Sequence, residues 1–325
     1  MNPRKLIPCA YRPFDTRWAY FSEVAMDYPR RELKENVADK ENLCLNIVRQ
    51  TKSEHWQHAV MTNKPTPAVF VEIKDGSTVF PLYLYSSSKT DLFDDSAAGG
   101  RRPNLAPEFI ADFSARLQLD FVPDGCGDLR KTYGPEDVFH YVYAVFHSPT
   151  YRSRYAEFLK IDFPRLPLTC DVALFRSLCA LGKELVALHL MEQSPPPQPS
   201  PASGRGSSDV RYPEAGDNTV DVVRYTEPSP PAPLPEGGCK GRVWINRTQY
   251  FDNVPPEVWG YHIGGYQVCQ KWLKDRKGQQ LSYDDLTHYR GIVAALARTI
   301  ELQAAIDEVI GEWPLTEEAI DLKSY

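Results

Sequence analysis

The distribution of proline constrains the fold of this chain more than any other feature of its sequence. Eleven of the 28 prolines lie between residues 195 and 235. A segment of this composition buries too little apolar surface to offset the entropy lost on ordering. We therefore expect disordered, low-complexity insertions at about 194–208 and 228–238, and a folded core built from the sequence on either side.

A strand-like segment lies between the two insertions. Residues 218–227, NTVDVVRYTE, have strand composition, and so do residues 241–251, GRVWINRTQYF. We predict that they pair as one β-hairpin whose loop carries the second proline-rich stretch. A long loop costs little here, because closure entropy grows only with the logarithm of loop length.

The two halves of the chain differ in their apolar periodicity. Short runs rich in branched residues predict strands at 43–48, 68–73 and 78–85. Helical spacing predicts helices at about 134–147, 150–160, 171–192 and 282–310. The expected fold class is mixed α/β (α+β), with a strand-rich N-terminal half and a helical C-terminal half.

Two of these helices have clear start signals. Asp171 is suited to cap the third helix, and Ser282 with Asp285 forms a capping box for the last one. The apolar stripe of the last helix needs a covering surface, and the 171–192 helix is the simplest candidate.

Charge and cysteine content exclude several classes of protein. The formal net charge is -6 and the pI is near 5.7, so any nucleic-acid surface must be local. The seven cysteines include no C-x-x-C pair, which disfavours a zinc site and a disulfide framework. Without a signal-peptide or membrane-spanning pattern, we expect a cytoplasmic protein with no membrane partner.

Catalytic motifs are weak. The loop VPDGCGD at 122–128 resembles a cofactor-binding glycine loop, but Pro123 interrupts it and it reads as a surface turn. Glu72 and Lys74 form half of a metal-dependent nuclease pattern. We find no nucleophile elbow, phosphate loop or H-E-x-x-H motif. No catalytic residue and no metal ligand is predicted, and a nuclease remains an alternative.

Several long segments carry a family resemblance. They are YRPFDTRW at 11–18 and the segments 139–168, 181–190, 245–282 and 288–307. Together they resemble the C-terminal specificity region of type ISP restriction–modification enzymes. Those enzymes join nuclease, helicase-like ATPase, adenine-N6 methyltransferase and target-recognition parts in a single polypeptide.

The resemblance implies a restriction–modification module in phage defence that recognises a specific sequence in double-stranded DNA. It would present that site to an adenine-N6 methyltransferase domain or subunit supplied elsewhere. The chain itself lacks the methyltransferase, ATPase and nuclease motifs, so no cofactor is expected in it. S-adenosylmethionine, ATP and Mg²⁺ are implied only for the parent enzyme. A non-catalytic protein-interaction fragment of a decayed restriction–modification gene remains an alternative.

The same resemblance divides the chain. Residues 1–20 would be a junction at the end of the methyltransferase part, and residues 21–325 the target-recognition domain. The junction residues would be Tyr11, Arg12, Phe14 and Asp15.

Candidate DNA-binding residues combine cations for phosphates with amide, aromatic and arginine side chains for base edges. The stretch 263–278 offers both kinds, although a solvated helix end that stops at Gly278 would explain its charge as well. The candidates are Arg101, Arg102, Thr150, Arg152, Arg247, Gln249, Tyr250, Tyr266, Gln267, Lys271, Lys274, Arg276 and Lys277.

Overall fold

The structure is a computed structural model in which the chain forms two compact units. The first comprises residues 1–190 with 302–325, and the second comprises residues 191–301. The two predicted proline-rich insertions lie outside the described residues. The described residues are 5–22, 24, 26, 30–85, 100–192, 211–227, 241–312 and 319–321.

The secondary structure of the described residues is mixed. The strands are β1 (Leu6–Arg12), β2 (Asp15–Tyr20), β3 (Cys44–Ile47), β4 (Ala59–Thr62), β5 (Thr78–Pro81), β6 (Tyr83–Tyr85), β7 (Arg101–Pro103), β8 (Asp120–Phe121), β9 (Thr132–Tyr133), β10 (Arg165–Pro167), β11 (Arg224–Thr226), β12 (Gly241–Trp244), β13 (Tyr250–Val254), β14 (His262–Ile263), β15 (Tyr266–Gln267) and β16 (Ala319–Asp321). The helices are α1 (Arg31–Val37), α2 (Pro107–Leu117), α3 (Pro135–His147), α4 (Pro149–Arg154), α5 (Ala156–Ile161), α6 (Val172–His189), α7 (Pro256–Trp259), α8 (Val268–Lys274) and α9 (Tyr283–Ile310). The predicted class, strand-rich first and helical later, is confirmed.

Small sheets make up the strand-rich part of the first unit. The three-stranded sheet has the order β4-β3-β5 and is antiparallel throughout. The pairs β1-β2, β6-β7 and β10-β16 are also antiparallel, and β8-β9 is parallel. The strand predicted at 43–48 is confirmed as β3, and all four residues of β3 are buried.

The strand predicted at 68–73 is wrong. These residues form turns, in which the Phe70 amide donates to the Pro67 carbonyl at 3.0 Å. Phe70 and Val71 are nevertheless fully buried, so the apolar run reflects burial without sheet pairing. The predicted strand at 78–85 is interrupted at Leu82, and its two halves, β5 and β6, join different sheets.

The core of the first unit is the helix pair α3 and α6. A Cβ added to Gly182 of α6 would lie 1.9 Å from the His140 carbonyl oxygen of α3, so only glycine permits this close approach. Phe175 of α6 packs edge-on against Phe113 with ring centroids 5.3 Å apart. Asp171 caps α6 as predicted, because its carboxylate accepts the amides of Ala173 and Leu174.

The second unit contains the sheet β11-β12-β13. The predicted hairpin between 218–227 and 241–251 is confirmed by the antiparallel pairing of β11 with β12. The capping box of α9 is also confirmed, since Ser282 and Asp285 exchange hydrogen bonds of 2.9 and 3.1 Å.

That the 171–192 helix covers the last helix stays a prediction. The face of α6 is covered by α3 in the first unit. In the second unit, Tyr289 of α9 packs against Phe251 at 4.5 Å and Trp272 at 5.5 Å between ring centroids. Apolar periodicity identified the helix stripe but carried no information about which surface covers it.

The YRPFD motif forms the turn of the β1-β2 hairpin in the first unit. Phe14 adopts a left-handed backbone with φ of 61° and packs against His189 at 5.5 Å between ring centroids. Arg12 and Asp15 are paired across the hairpin and buried, and the Arg12 guanidinium lies 4.3 Å from the centre of the Tyr11 ring. The role of this motif as a domain junction remains a prediction.

Candidate nucleic-acid interface

The predicted cationic stretch, which covers the last turn of α8 and the residues after it, is partly neutralised within the second unit. Lys271 forms an ion pair with Asp275. The Arg276 guanidinium lies 3.6 Å from the centre of the Trp272 ring and donates to the Trp272 carbonyl at 3.1 Å. Its Nε is also 3.9 Å from the Asp285 carboxylate, and its side chain is only 16% exposed. Lys271 and Arg276 therefore hold the end of α8 together.

Two cations of this stretch face solvent. Lys274 is exposed and donates to Gln270 at 2.8 Å, and Lys277 is exposed in the turn that follows α8. These positions at a helix C-terminus favour positive charge whatever the ligand. They remain candidates for phosphate contact.

Tyr266 does not reach the surface, and Gln267 already uses its amide nitrogen inside the protein. Tyr266 is 4% exposed and belongs to the core. Gln267 is partly buried, and its amide nitrogen donates to the Trp259 carbonyl at 2.7 Å. The interpretation of Tyr266 as a surface contact is corrected by its burial.

Gln249 is a structural residue. It is 3% exposed, and its amide nitrogen donates to the Glu214 carbonyl and to Asn218 Oδ1, each at 2.7 Å. Its amide oxygen accepts from the Asn218 amide and from Asn246 Nδ2, each at 2.9 Å. Its donors and acceptor are thus used inside the protein, which corrects its assignment as a base-reading side chain.

The helix start at Thr150, in the first unit, already binds an anionic group. The Asp307 carboxylate accepts the Thr150 amide at 3.0 Å and the Thr150 hydroxyl at 2.6 Å, and it also accepts the Ser148 hydroxyl. Arg152 points inward, where its Nε donates to the Phe146 carbonyl at 2.7 Å. A phosphate at this helix start would have to displace Asp307, so the assignment of Thr150 and Arg152 is corrected.

The cations of β7 have opposite environments. The Arg101 guanidinium bonds to Asp124 at 2.8 Å and to the Glu41 carbonyl at 2.9 Å, and it lies 3.9 Å from the centre of the Tyr83 ring. Arg101 is therefore an internal brace. Arg102, the next residue, is exposed, as strand alternation requires.

The outer face of the sheet β11-β12-β13 carries a row of cations and aromatic rings. Arg224, Trp244 and Tyr250 are in register across the three strands. The Arg224 guanidinium lies 4.5 Å from the centre of the Trp244 ring, and the Trp244 and Tyr250 ring centroids are 4.6 Å apart. Arg242 lies 4.5 Å from the centre of the Tyr250 ring. We call these four residues the cation–aromatic row.

The row is fixed in place and only partly neutralised. Arg242 pairs with Asp252 at 3.2 Å while its side chain stays 48% exposed. The indole nitrogen of Trp244 donates to Thr226 at 2.9 Å. Arg224 is exposed, and Arg247 is exposed in the turn between β12 and β13. Among the predicted candidates, Tyr250 belongs to this row and Arg247 follows it along the chain.

Sequence reasoning missed Arg224, Arg242 and Trp244. The signal was present as alternation, because residues two apart on a strand point to the same face. Val243, between Arg242 and Trp244, is fully buried. Only the pairing of three strands brings the alternate residues into one row.

The nuclease alternative loses its structural basis. Glu72 and Lys74 do not lie on a strand. Glu72 is 8% exposed and its carboxylate lies 3.5 Å from His58 Nε2. Its other carboxylate oxygen accepts the Ile73 amide at 2.8 Å.

Among the described residues, no helix is both long enough and apolar enough to cross a bilayer.

Several solved structures resemble this chain. An ATP-dependent Type ISP restriction–modification enzyme, LlaBIII, bound to DNA superposes with a TM-score of 0.66 and 19% identity, covering 97% of this chain and 19% of that chain. A nuclease-deletion mutant of the Type ISP restriction–modification enzyme LlaGI, in complex with a DNA substrate mimic, superposes with a TM-score of 0.64 and 18% identity, covering 98% of this chain and 26% of that chain. A DrdV–DNA complex superposes with a TM-score of 0.64 and 21% identity, covering 96% of this chain and 29% of that chain.

These likenesses establish a shared fold, and the chain spans less than a third of the length of each solved relative. No curated protein sequence matches the chain significantly. Residues 1–304 match the family described as the Type ISP C-terminal specificity domain. Because the match extends over nearly the whole chain and agrees with the resemblance of the segments at 11–18 and 139–307, this protein belongs to the Type ISP C-terminal specificity domain family.

Proposed function

We propose that this chain recognises a specific sequence in double-stranded DNA. The observation that carries the proposal is membership of a specificity-domain family over residues 1–304. The three solved relatives are described with DNA or a DNA mimic, which supports DNA as the ligand of this fold. The module would present its site to an adenine-N6 methyltransferase carried by another domain or subunit.

The cation–aromatic row is the surface of the second unit that best suits a duplex. Guanidinium groups grip phosphates or guanine edges, and aromatic rings offer apolar contact to bases and sugars. Arg224 and Arg242 are exposed and held over Trp244 and Tyr250. A row held by cross-strand packing loses little conformational entropy on binding. Arg247, Lys274 and Lys277 would add phosphate contacts from the same unit.

Catalysis would come from elsewhere. In a restriction–modification enzyme the methyltransferase flips the target base out of the stack, and S-adenosylmethionine, ATP and Mg²⁺ would serve those other parts. The segment 1–20 would join this module to the methyltransferase. Its buried Arg12 and Asp15 suit a role in holding the hairpin, which would stiffen such a junction.

A selection from a random duplex library, followed by binding at several salt concentrations, tests the function. A recognition module should enrich one asymmetric site. The logarithm of its binding constant should also fall linearly with the logarithm of salt concentration, with a slope of roughly -0.9 for each phosphate contacted. No enrichment together with salt-independent binding would instead support the protein-interaction fragment.

A further inference from the structure

A cluster of three possible metal ligands lies in the first unit, whereas the cation–aromatic row belongs to the second. Cys126, Asp137 and His140 each offer one ligand atom, and these atoms all lie within 4.8 Å of one another. Cys126 belongs to the loop between β8 and β9, and Asp137 and His140 lie one turn apart on α3. Residues three apart on a helix share a face, so these two side chains approach the loop together.

Asp137 anchors the loop to the helix and keeps one oxygen for a further ligand. Its Oδ2 accepts the Gly127 amide at 2.6 Å and the Gly134 amide at 2.9 Å. The second of these bonds closes the cap of α3. Oδ1 stays outside both bonds, and the residue is 3% exposed.

His140 has ring nitrogens that remain available to a ligand. The residue is 4% exposed, and in the described part of the chain its ring nitrogens make no hydrogen bond. They are not among the fully enclosed polar atoms that lack a partner, so solvent or an ion can reach them. A neutral imidazole nitrogen is a common metal ligand in proteins, and that of His140 lies within 4.8 Å of the ligand atoms of Cys126 and Asp137.

The charge around Cys126 also favours a bound cation. The Cys126 sulfur lies 3.5 Å from the Glu136 carboxylate and within 4.8 Å of the ligand atom of Asp137. A divalent cation would neutralise these carboxylates and stabilise the thiolate that it binds. Lys183, which is exposed, is a positive charge near the site and opposes the binding of a cation there.

We propose that Cys126, Asp137 and His140 bind a divalent transition-metal ion of the zinc class. Sulfur, nitrogen and oxygen donors together suit Zn²⁺, which takes four ligands in a tetrahedral arrangement. The Glu136 carboxylate, 3.5 Å from Cys126 Sγ, or a water molecule would complete the set. Ligand atoms of such a site lie about 3.3–3.8 Å apart, so the exposed Cys126 thiol moves inward on binding.

The ion would brace the 122–130 loop against α3. The loop already depends on this helix, since the Glu136 amide donates to the Gly125 carbonyl at 3.2 Å. The proposal does not rest on DNA recognition, and metal binding can be measured without DNA.

Cobalt titration of the full chain tests the site, because thiolate-bound Co²⁺ gives a near-ultraviolet charge-transfer band. We expect one such band in the unmodified protein and in Cys170→Ser, which changes another exposed cysteine. Cys126→Ser should lose the band and bind Zn²⁺ at least about tenfold more weakly. His140→Asn should weaken binding to a similar extent.

Either of two results would overturn the site. One is the absence of the band in the unmodified protein. The other is equal metal affinity in Cys126→Ser and Cys170→Ser. If His140→Asn does not fold, the comparison of the two exposed cysteines still decides. A melting temperature raised by Zn²⁺ in the unmodified protein and in Cys170→Ser, but not in Cys126→Ser, would support the proposal by mass action.

Discussion

The Asp307 carboxylate accepts the backbone amide of Thr150 at 3.0 Å and the hydroxyl of the same residue at 2.6 Å. This contact makes an internal carboxylate the anion at the start of α4. We expect Asp307→Ala to lower the free energy of unfolding by about 1–2 kcal/mol, as loss of a helix cap does. Urea denaturation measures the effect, with Glu308→Ala on the exposed face as the control. Tighter DNA binding by Asp307→Ala would show instead that Asp307 blocks a phosphate site.

The cation–aromatic row should contribute to DNA affinity. Arg224→Ala should reduce the slope of log affinity against log salt concentration by about 0.9 if one phosphate contact is lost. Trp244→Ala should weaken binding because it removes the ring against which the Arg224 guanidinium is held. Fluorescence anisotropy with a labelled duplex measures both. Arg130→Ala removes the same charge from an exposed position of the first unit and should leave binding unchanged. Equal effects of Arg224→Ala and Arg130→Ala would mean that net charge alone matters.

Exposed and paired lysines near α8 should behave differently. Lys274→Ala and Lys277→Ala should weaken binding to all duplex sequences alike, since phosphate contacts carry no sequence information. Lys271→Ala should have a smaller effect, because Lys271 is already paired with Asp275. Affinities for a selected and a scrambled duplex test this ordering. A change in sequence preference for Lys277→Ala would contradict a phosphate role.

Gln249→Ala should destabilise the protein without relaxing base preference. The change removes the hydrogen bonds to the Asn218 amide and the Glu214 carbonyl, and each such bond contributes about 0.5–1.5 kcal/mol net. Thermal unfolding should show the loss, whereas the exposed control Gln279→Ala should not. Normal stability combined with relaxed preference at one base pair would restore Gln249 as a base reader.

Buried histidines, among them His147 and His189, should make the first unit sensitive to acid. Burial, aided by Arg152, lowers the pKa of His189 to about 3 and holds the pKa of His147 well below its ordinary value. The unfolded chain has ordinary values near 6.5 and binds more protons below that pH. Stability is therefore full above about pH 6.5 and falls on acidification toward pH 3. Each histidine contributes up to about 1.4 kcal/mol per pH unit.

Urea denaturation between pH 7 and pH 4 measures this slope. His189→Gln should flatten it, because glutamine does not titrate. An exposed control, His262→Gln, should leave the slope as it is. Stability that rises as the pH falls from 6.5 to 4 would contradict the burial of neutral imidazoles.

Elements with local signals followed directly from the sequence. Asp171 and Ser282 mark the starts of α6 and α9 because capping depends on residues two or three positions away. The hairpin of β11 with β12 followed from strand composition on both sides of the proline-rich stretch. The family resemblance was carried by long contiguous segments and required no knowledge of the fold.

The exposure of each polar side chain was decided by the tertiary structure alone. Thr150 and Asp307 are 157 residues apart, and the partners of Gln249 reach back 31 and 35 residues. No local pattern encodes such pairs, so polar residues with the right chemistry for DNA proved to be internal bonding groups. Arg224 and Trp244 were missed for a related reason, because the predicted hairpin did not fix the register that pairs these two residues across β11 and β12. Sequence determines which groups a chain contains and which elements they start or end, whereas packing decides which of those groups remain free to bind.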